Sequence, residues 1–188
     1  MRRLSALVFL LLLGLVVPAW AQAPATDEAS KQRALKIARD WLHDNTDYKQ
    51  IPDISSWVVL SDERMIAQAR VGGDLPGRGV RHVPGFIYNC GERRLYQQQG
   101  VNFFDIAILS LLVHELTHHA QCLTGKSFAD ICAIEREAYL NQQRFVRWTQ
   151  ARLAAAGRPP LGPEVEKFAS NDLPALIDTV CAATRRRN

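Results

Sequence analysis

His114, Glu115 and His118 read H-E-x-x-H within Leu111-Leu112-Val113-His114-Glu115-Leu116-Thr117-His118-His119-Ala120-Gln121. On an α-helix, residues four apart share a face, so both imidazoles can reach one metal ion. The glutamate between them can reach a water on that metal and act as its general base. Zinc is the metal this donor set suits, and it brings such a water to a pKa of about 7. The chemistry implied is zinc-dependent hydrolysis, first of all of peptide bonds. Two protein ligands leave a catalytic zinc site incomplete, and a third is needed. It is not a histidine six residues after His118, because that position is Thr124. His119 turns roughly 100° away from His118 and reads as a neighbour of the site or a surface residue. His43 and His82 lie upstream.

The helix that follows offers two carboxylates, Glu135 and Glu137. Its apolar residues Ile134, Ala138, Phe145 and Trp148, with Asn141, form one inward stripe. Around that stripe Glu137 lies roughly 70° to one side and Glu135 roughly 90° to the other, at 100° per residue. The spacing leaves both open. Over about residues 86–148 the chain resembles the gluzincin branch of zinc metallopeptidases, in which a glutamate on the helix after the motif completes the site. In those families a small residue often follows the liganding glutamate, as Ala138 follows Glu137, whereas Arg136 follows Glu135. The resemblance therefore implies His114, His118 and Glu137 as ligands and Glu115 as the catalytic base. It also implies a zincin-like α+β fold, and an edge strand through Leu95-Tyr96-Gln97 that holds an extended peptide by β-addition. Tyr139, Tyr88 and His82 are candidate donors to an oxyanion, and a tyrosine on a helix flank or strand is as readily a core residue.

These residues need elements to position them. Asp105 to Cys122 is apolar almost all round, which predicts a helix buried in the middle of a domain. Asn102 or Asp105 would cap it, and Gly125 would end the segment. Polar side chains on such a helix are costly unless paired or metal-bound. Upstream, Ala34, Ile37, Ala38, Trp41 and Leu42 predict a helix from Asp27 to about Asn45, capped by Thr26 or Asp27. Trp57 to Leu60 and Met65 to Val71 read as short strands. Residues 85–97 read as a β-hairpin turning at Cys90-Gly91-Glu92. The expected sheet is small and mostly antiparallel, packed on the motif helix. Gly72 to Gly79 is a glycine-rich loop without phosphate-loop spacing. A helix is expected from Ala129 to about Ala156, then two short helices at 163–170 and 173–183. Residues 22–188 form one domain.

The first 21 residues carry a different signal. Arg2 and Arg3 precede an apolar run from Leu4 to Val17, shorter than the ~20 residues of a bilayer span. Ala19-Trp20-Ala21 is an A-x-A site, so export with cleavage after Ala21 is expected, to the periplasm or beyond. The formal charge is +4, and two of those charges lie in the leader. No basic stripe interleaved with aromatics points to nucleic acid. No stable membrane insertion is expected after cleavage, and the basic cluster Arg185-Arg186-Arg187 reads as a solvated end. Four cysteines in an exported chain favour disulfides. Cys122–Cys132, clipping the two site helices, and Cys90–Cys181 are the preferred pairs. The partner implied is a peptide or protein substrate of the cell envelope. A metal-binding envelope module without turnover is the alternative, as is an amidase acting on cell-wall peptide. Glu115 speaks against the first of these, since a purely structural metal has no use for a base.

Overall fold

A computed structural model of the chain describes residues 27–54, 56–72, 84–126, 131–170, 177 and 181. The leader, the glycine-rich loop from residue 73, His82, the cap at Thr26 and the basic tail lie outside the described residues, as does most of 173–183. The fold is α+β, with five helices and a three-stranded sheet among the described residues. In chain order the elements are α1 (Asp27–Asn45), β1 (Ser56–Leu60), α2 (Asp62–Gly72), β2 (Phe86–Asn89), β3 (Arg94–Gln98), α3 (Ile106–Leu123), α4 (Ile131–Ala155) and α5 (Pro163–Ser170).

α3 is the motif helix, and it packs between α1, α4 and β2. Asp105 is its N-cap and accepts the Ala107 N–H at 2.8 Å. At its other end Gly125 takes φ +70°. The Lys126 N–H reaches the Gln121 carbonyl and the Gly125 N–H reaches that of Cys122. This pair of bonds satisfies carbonyls that the helix end would otherwise orphan, and the left-handed residue it needs is a glycine. Leu112, Val113 and Leu116 are fully buried in the main core with Leu42, Leu95 and Phe145. That burial fixes the rotation of α3, and with it the face that carries the histidines.

The sheet order is β1-β3-β2. β2 and β3 form the expected hairpin, paired antiparallel from Phe86↔Gln97 to Asn89↔Arg94. β1, however, runs parallel to β3, from Ser56↔Arg94 to Leu60↔Gln98. The sheet is therefore mixed, and the mostly antiparallel expectation is corrected. The reason is α2. Met65 to Val71 is helical, not a strand: Met65 and Ala69, four apart, are its buried residues, and Asp62 and Glu63 stand favourably in the first turn. With a helix in the connection, the chain crosses over before the hairpin begins. Alternation along the strands then serves two cores. Phe86, Leu95 and Trp57 face α1 and α3, while Ile87, Tyr96 and Val58 face α2.

The cysteines pair as Cys90–Cys122 and Cys132–Cys181. The expected pairs Cys122–Cys132 and Cys90–Cys181 are both overturned. Nearness in sequence misled, because packing of α3 on the hairpin brings Cys122 to the turn between β2 and β3. The first bridge ties that turn to the end of α3, and the second ties the start of α4 to the C-terminal segment. The even count and the disulfide state stand, and they suit an oxidising compartment. No described helix is long and apolar enough to cross a membrane.

Candidate metal centre

α3 and α4 pack as antiparallel neighbours, and the seam between them is polar where it should be apolar. Gln142 Nε2 donates to Ser110 Oγ at 3.2 Å. Tyr139 lies edge-on to His114, ring centroids 4.5 Å apart. Glu135 lies opposite both motif histidines, and Gln121 reaches the Ile134 carbonyl. On each helix these residues recur at helical spacing, so one stripe of polar side chains runs along the face that each helix turns to the other. Burying such groups costs free energy unless they find partners.

At the centre of the seam three side chains converge. His114 Nε2 and His118 Nε2 are 3.1 Å apart. Glu135 Oε2 lies 3.4 Å from the first and Oε1 3.4 Å from the second. The three ligand atoms all lie within 4.8 Å of one another, and the group could hold a metal ion. Glu135, the nearer glutamate, is not the one that the resemblance favoured. Glu137 points the other way, with Lys126 Nζ at 2.7 and 2.9 Å, the Tyr48 hydroxyl at 2.8 Å and Gln121 Nε2 at 2.9 Å. The physical reason is the polar stripe. Averaging over the apolar residues of α4 aims at the core, but the seam with α3 lies on the side of Glu135, Tyr139 and Gln142. That recurrence at i, i+4 and i+7 was the signal in the sequence.

The protonation pattern around the centre suits a cation. Gln121 Nε2 donates to both the Ile134 carbonyl and Glu137, so Gln121 Oε1 faces His118 Nδ1, at 2.9 Å. An acceptor at Nδ1 puts the proton there and turns the Nε2 lone pair toward the centre, as in metal-ligating histidines. His114 Nδ1 and Gln142 Oε1 are buried atoms without a hydrogen-bond partner of ordinary geometry, although the Gln142 side chain still favours a proton on His114. In the protein alone, burial pushes the His114 pKa down. For His118 burial acts the same way, but the Glu135 carboxylate outweighs it and lifts the pKa to about 9. Burial would raise the Glu135 carboxyl, yet the two histidines hold it well below the usual carboxylate range. A carboxylate and two imidazole Nε2 atoms that face one point are donors of the kind zinc takes.

Glu115 is half-buried beside this group, and its charge acts on His118. Its Oε2 accepts the Tyr88 N–H at 2.7 Å. Tyr88 sits on β2, an outer strand of the sheet. The Gly85–Gln98 hydrogen bond sets the hairpin phase so that the Tyr88 N–H points away from β3, toward α3. The strand beside Glu115 is thus β2, whereas β3, which carries Leu95-Tyr96-Gln97, is central. The edge-strand expectation is corrected accordingly.

Of the three candidate oxyanion donors, Tyr139 is beside His114. The Tyr88 hydroxyl is engaged 2.8 Å from His119 Nδ1, and His82 lies outside the described residues. His119 is buried, with Nε2 3.2 Å from the Pro52 carbonyl, and it ties the segment before β1 to β2 and α3. It is a structural neighbour of the site, not a surface residue.

Compared with known proteins, the chain matches no family model, no curated protein and no solved structure.

Proposed function

We propose that this chain is a zinc-dependent hydrolase, most directly a peptidase, with His114, His118 and Glu135 as the protein ligands of the metal. It belongs with the gluzincins in plan, with the glutamate ligand on α4 at Glu135 in place of Glu137. The observation that carries the reading is the convergence of a carboxylate and two histidine Nε2 atoms at a buried seam, with a second carboxylate, Glu115, whose charge acts on His118. A structural site of the same three donors would have no use for Glu115.

When bound, the metal supplies a Lewis acid that polarises the scissile carbonyl and makes water acidic enough to react near neutral pH. The chain's own residues do the rest. Glu115 accepts the proton of the attacking water and passes it to the leaving amine. The Tyr88 N–H holds one oxygen of that carboxylate at 2.7 Å, which helps to fix its direction. Tyr139, whose ring packs against that of His114, is the candidate donor to the oxygen that gains charge. The substrates that suit an exported, disulfide-bonded chain are peptides or proteins outside the cytoplasm, with no role for nucleic acid.

The test is Glu115→Gln. The variant keeps its metal and its fold, and hydrolysis of a peptide library falls by about 10²- to 10⁴-fold. Turnover unchanged in the variant would contradict the mechanism. A wild type that binds metal but cleaves nothing would favour the metal-binding module.

A further inference from the structure

Glu137 is the ligand that the resemblance implies, and its surroundings give it another task. Its carboxylate is held from three sides, by Lys126, by the Tyr48 hydroxyl and by Gln121. Lys126 is placed by the glycine-dependent end of α3, since its own N–H closes on the Gln121 carbonyl. Gln121 is fully buried and lies one helical turn beyond His118. A carboxamide can be turned over, exchanging its oxygen and nitrogen. Here it cannot. Turned over, its oxygen would face the Ile134 carbonyl and the Glu137 carboxylate, two acceptors against an acceptor. Its NH₂ group would then face His118 Nδ1 and draw the lone pair to the wrong nitrogen.

We propose that Glu137 and Gln121 are positioning residues. Together they lock the proton of His118 on Nδ1 and so reserve Nε2 for the metal. The inference rests on the metal-centre reading and extends it to a line of contacts from Lys126, at the surface, to the buried imidazole. The geometry separates two roles for two neighbouring glutamates: Glu135 touches the histidines, and Glu137 acts on one of them through Gln121. It also accounts for a buried glutamine whose three hydrogen bonds are otherwise unexplained.

The experiment uses the full exported chain, loaded with zinc and titrated against a chelator of known affinity. ¹⁵N spectra of the His118 ring are recorded alongside. Gln121→Met keeps the volume and removes every hydrogen bond. It weakens zinc binding 10- to 100-fold, as loss of a partner to a metal-bound imidazole does. The slowly exchanging Nδ1–H signal of His118 disappears with it. Because Gln121 is fully buried, Glu137→Leu and Glu137→Gln are made as well, at a partly exposed position, so that a failure of Gln121→Met to fold leaves the test intact. Glu137→Leu weakens zinc binding about 10-fold and speeds exchange of the His118 Nδ1–H. Glu137→Gln still accepts from Gln121 and stays within about threefold of wild type, below the roughly 10- to 100-fold that losing such a partner costs. Zinc affinity and Nδ1–H exchange unchanged in Glu137→Leu would overturn the proposal while leaving the metal centre standing. Zinc lost entirely in Glu137→Gln would overturn it too, by making Glu137 a ligand. A folded wild type that binds no zinc would remove both the proposal and the reading beneath it.

Discussion

Replacing Glu135 with glutamine keeps its shape and removes the one negative charge that lies 3.4 Å from both histidines. In protein freed of metal by a chelator, burial pulls the His118 pKa down, and that charge, with smaller help from Glu115 and Gln121, carries it from its ordinary 6.5 to about 9. A pKa higher in the folded than in the unfolded chain stabilises the fold. The gain is fully present below 6.5 and is lost as pH rises through 9. At pH 6 the gain is roughly 3 kcal/mol. No discount for solvent applies, because the His118 and Glu135 side chains are only 10% and 15% exposed. Urea unfolding of chelator-treated protein should therefore show Glu135→Gln less stable than wild type at pH 6, by most of that roughly 3 kcal/mol. By pH 10 this deficit disappears. Glu137→Gln, at a carboxylate more than a third exposed beside Lys126, should cost about 1 kcal/mol or less. With zinc present the contrast should persist, because on the proposed ligand set Glu135→Gln loses a ligand and Glu137→Gln keeps all three. Equal stability of Glu135→Gln and wild type at pH 6, or a deficit unchanged at pH 10, would refute the reasoning. So would a larger loss of zinc affinity in Glu137→Gln than in Glu135→Gln.

Other expectations follow from the elements that hold the site. Asp105→Ala removes the oxygen that caps α3 and should lower stability by about 1 kcal/mol in urea unfolding. Leu112→Ala, at a fully buried contact of α3, should cost about 2–5 kcal/mol, with zinc affinity falling as the helix loosens. Replacing Cys90 and Cys122 by serine opens a bridge across 32 residues of chain and should cost about 3–4 kcal/mol in thermal or urea unfolding. A melting temperature insensitive to a reductant would contradict that. Saturating zinc at about 100 times its Kd should add roughly 3 kcal/mol to stability, and a chelator should reverse the gain.

How far the sequence could be read depended on what kind of signal each residue carried. The H-E-x-x-H spacing, the apolar surround of α3, its cap at Asp105 and its stop at Gly125 are local, and each is found where the sequence places it. The hairpin is local as well. α2 was missed because Met65 to Val71 is short and apolar enough to suit either element. The acidic first turn and the four-residue spacing of Met65 and Ala69 were the better guide. The cysteine pairing depends on how α3 packs against the hairpin, and no spacing in one sequence encodes that. Glu135 against Glu137 was a question about the face that α4 turns to α3. The apolar stripe answers it poorly, because the seam that holds the site is polar. Ser110, His114, His118 and Gln121 on one helix, and Glu135, Tyr139 and Gln142 on the next, are the complementary pattern that would have answered it.

The claim on which the rest stands is that His114, His118 and Glu135 hold one metal ion. Elemental analysis of the purified, chelator-washed and zinc-reconstituted protein tests it most directly. The account predicts about one zinc per chain in the wild type, with His118→Ala and Glu135→Ala retaining little and Glu137→Gln retaining nearly all. A fully folded wild type that takes up no zinc would contradict it.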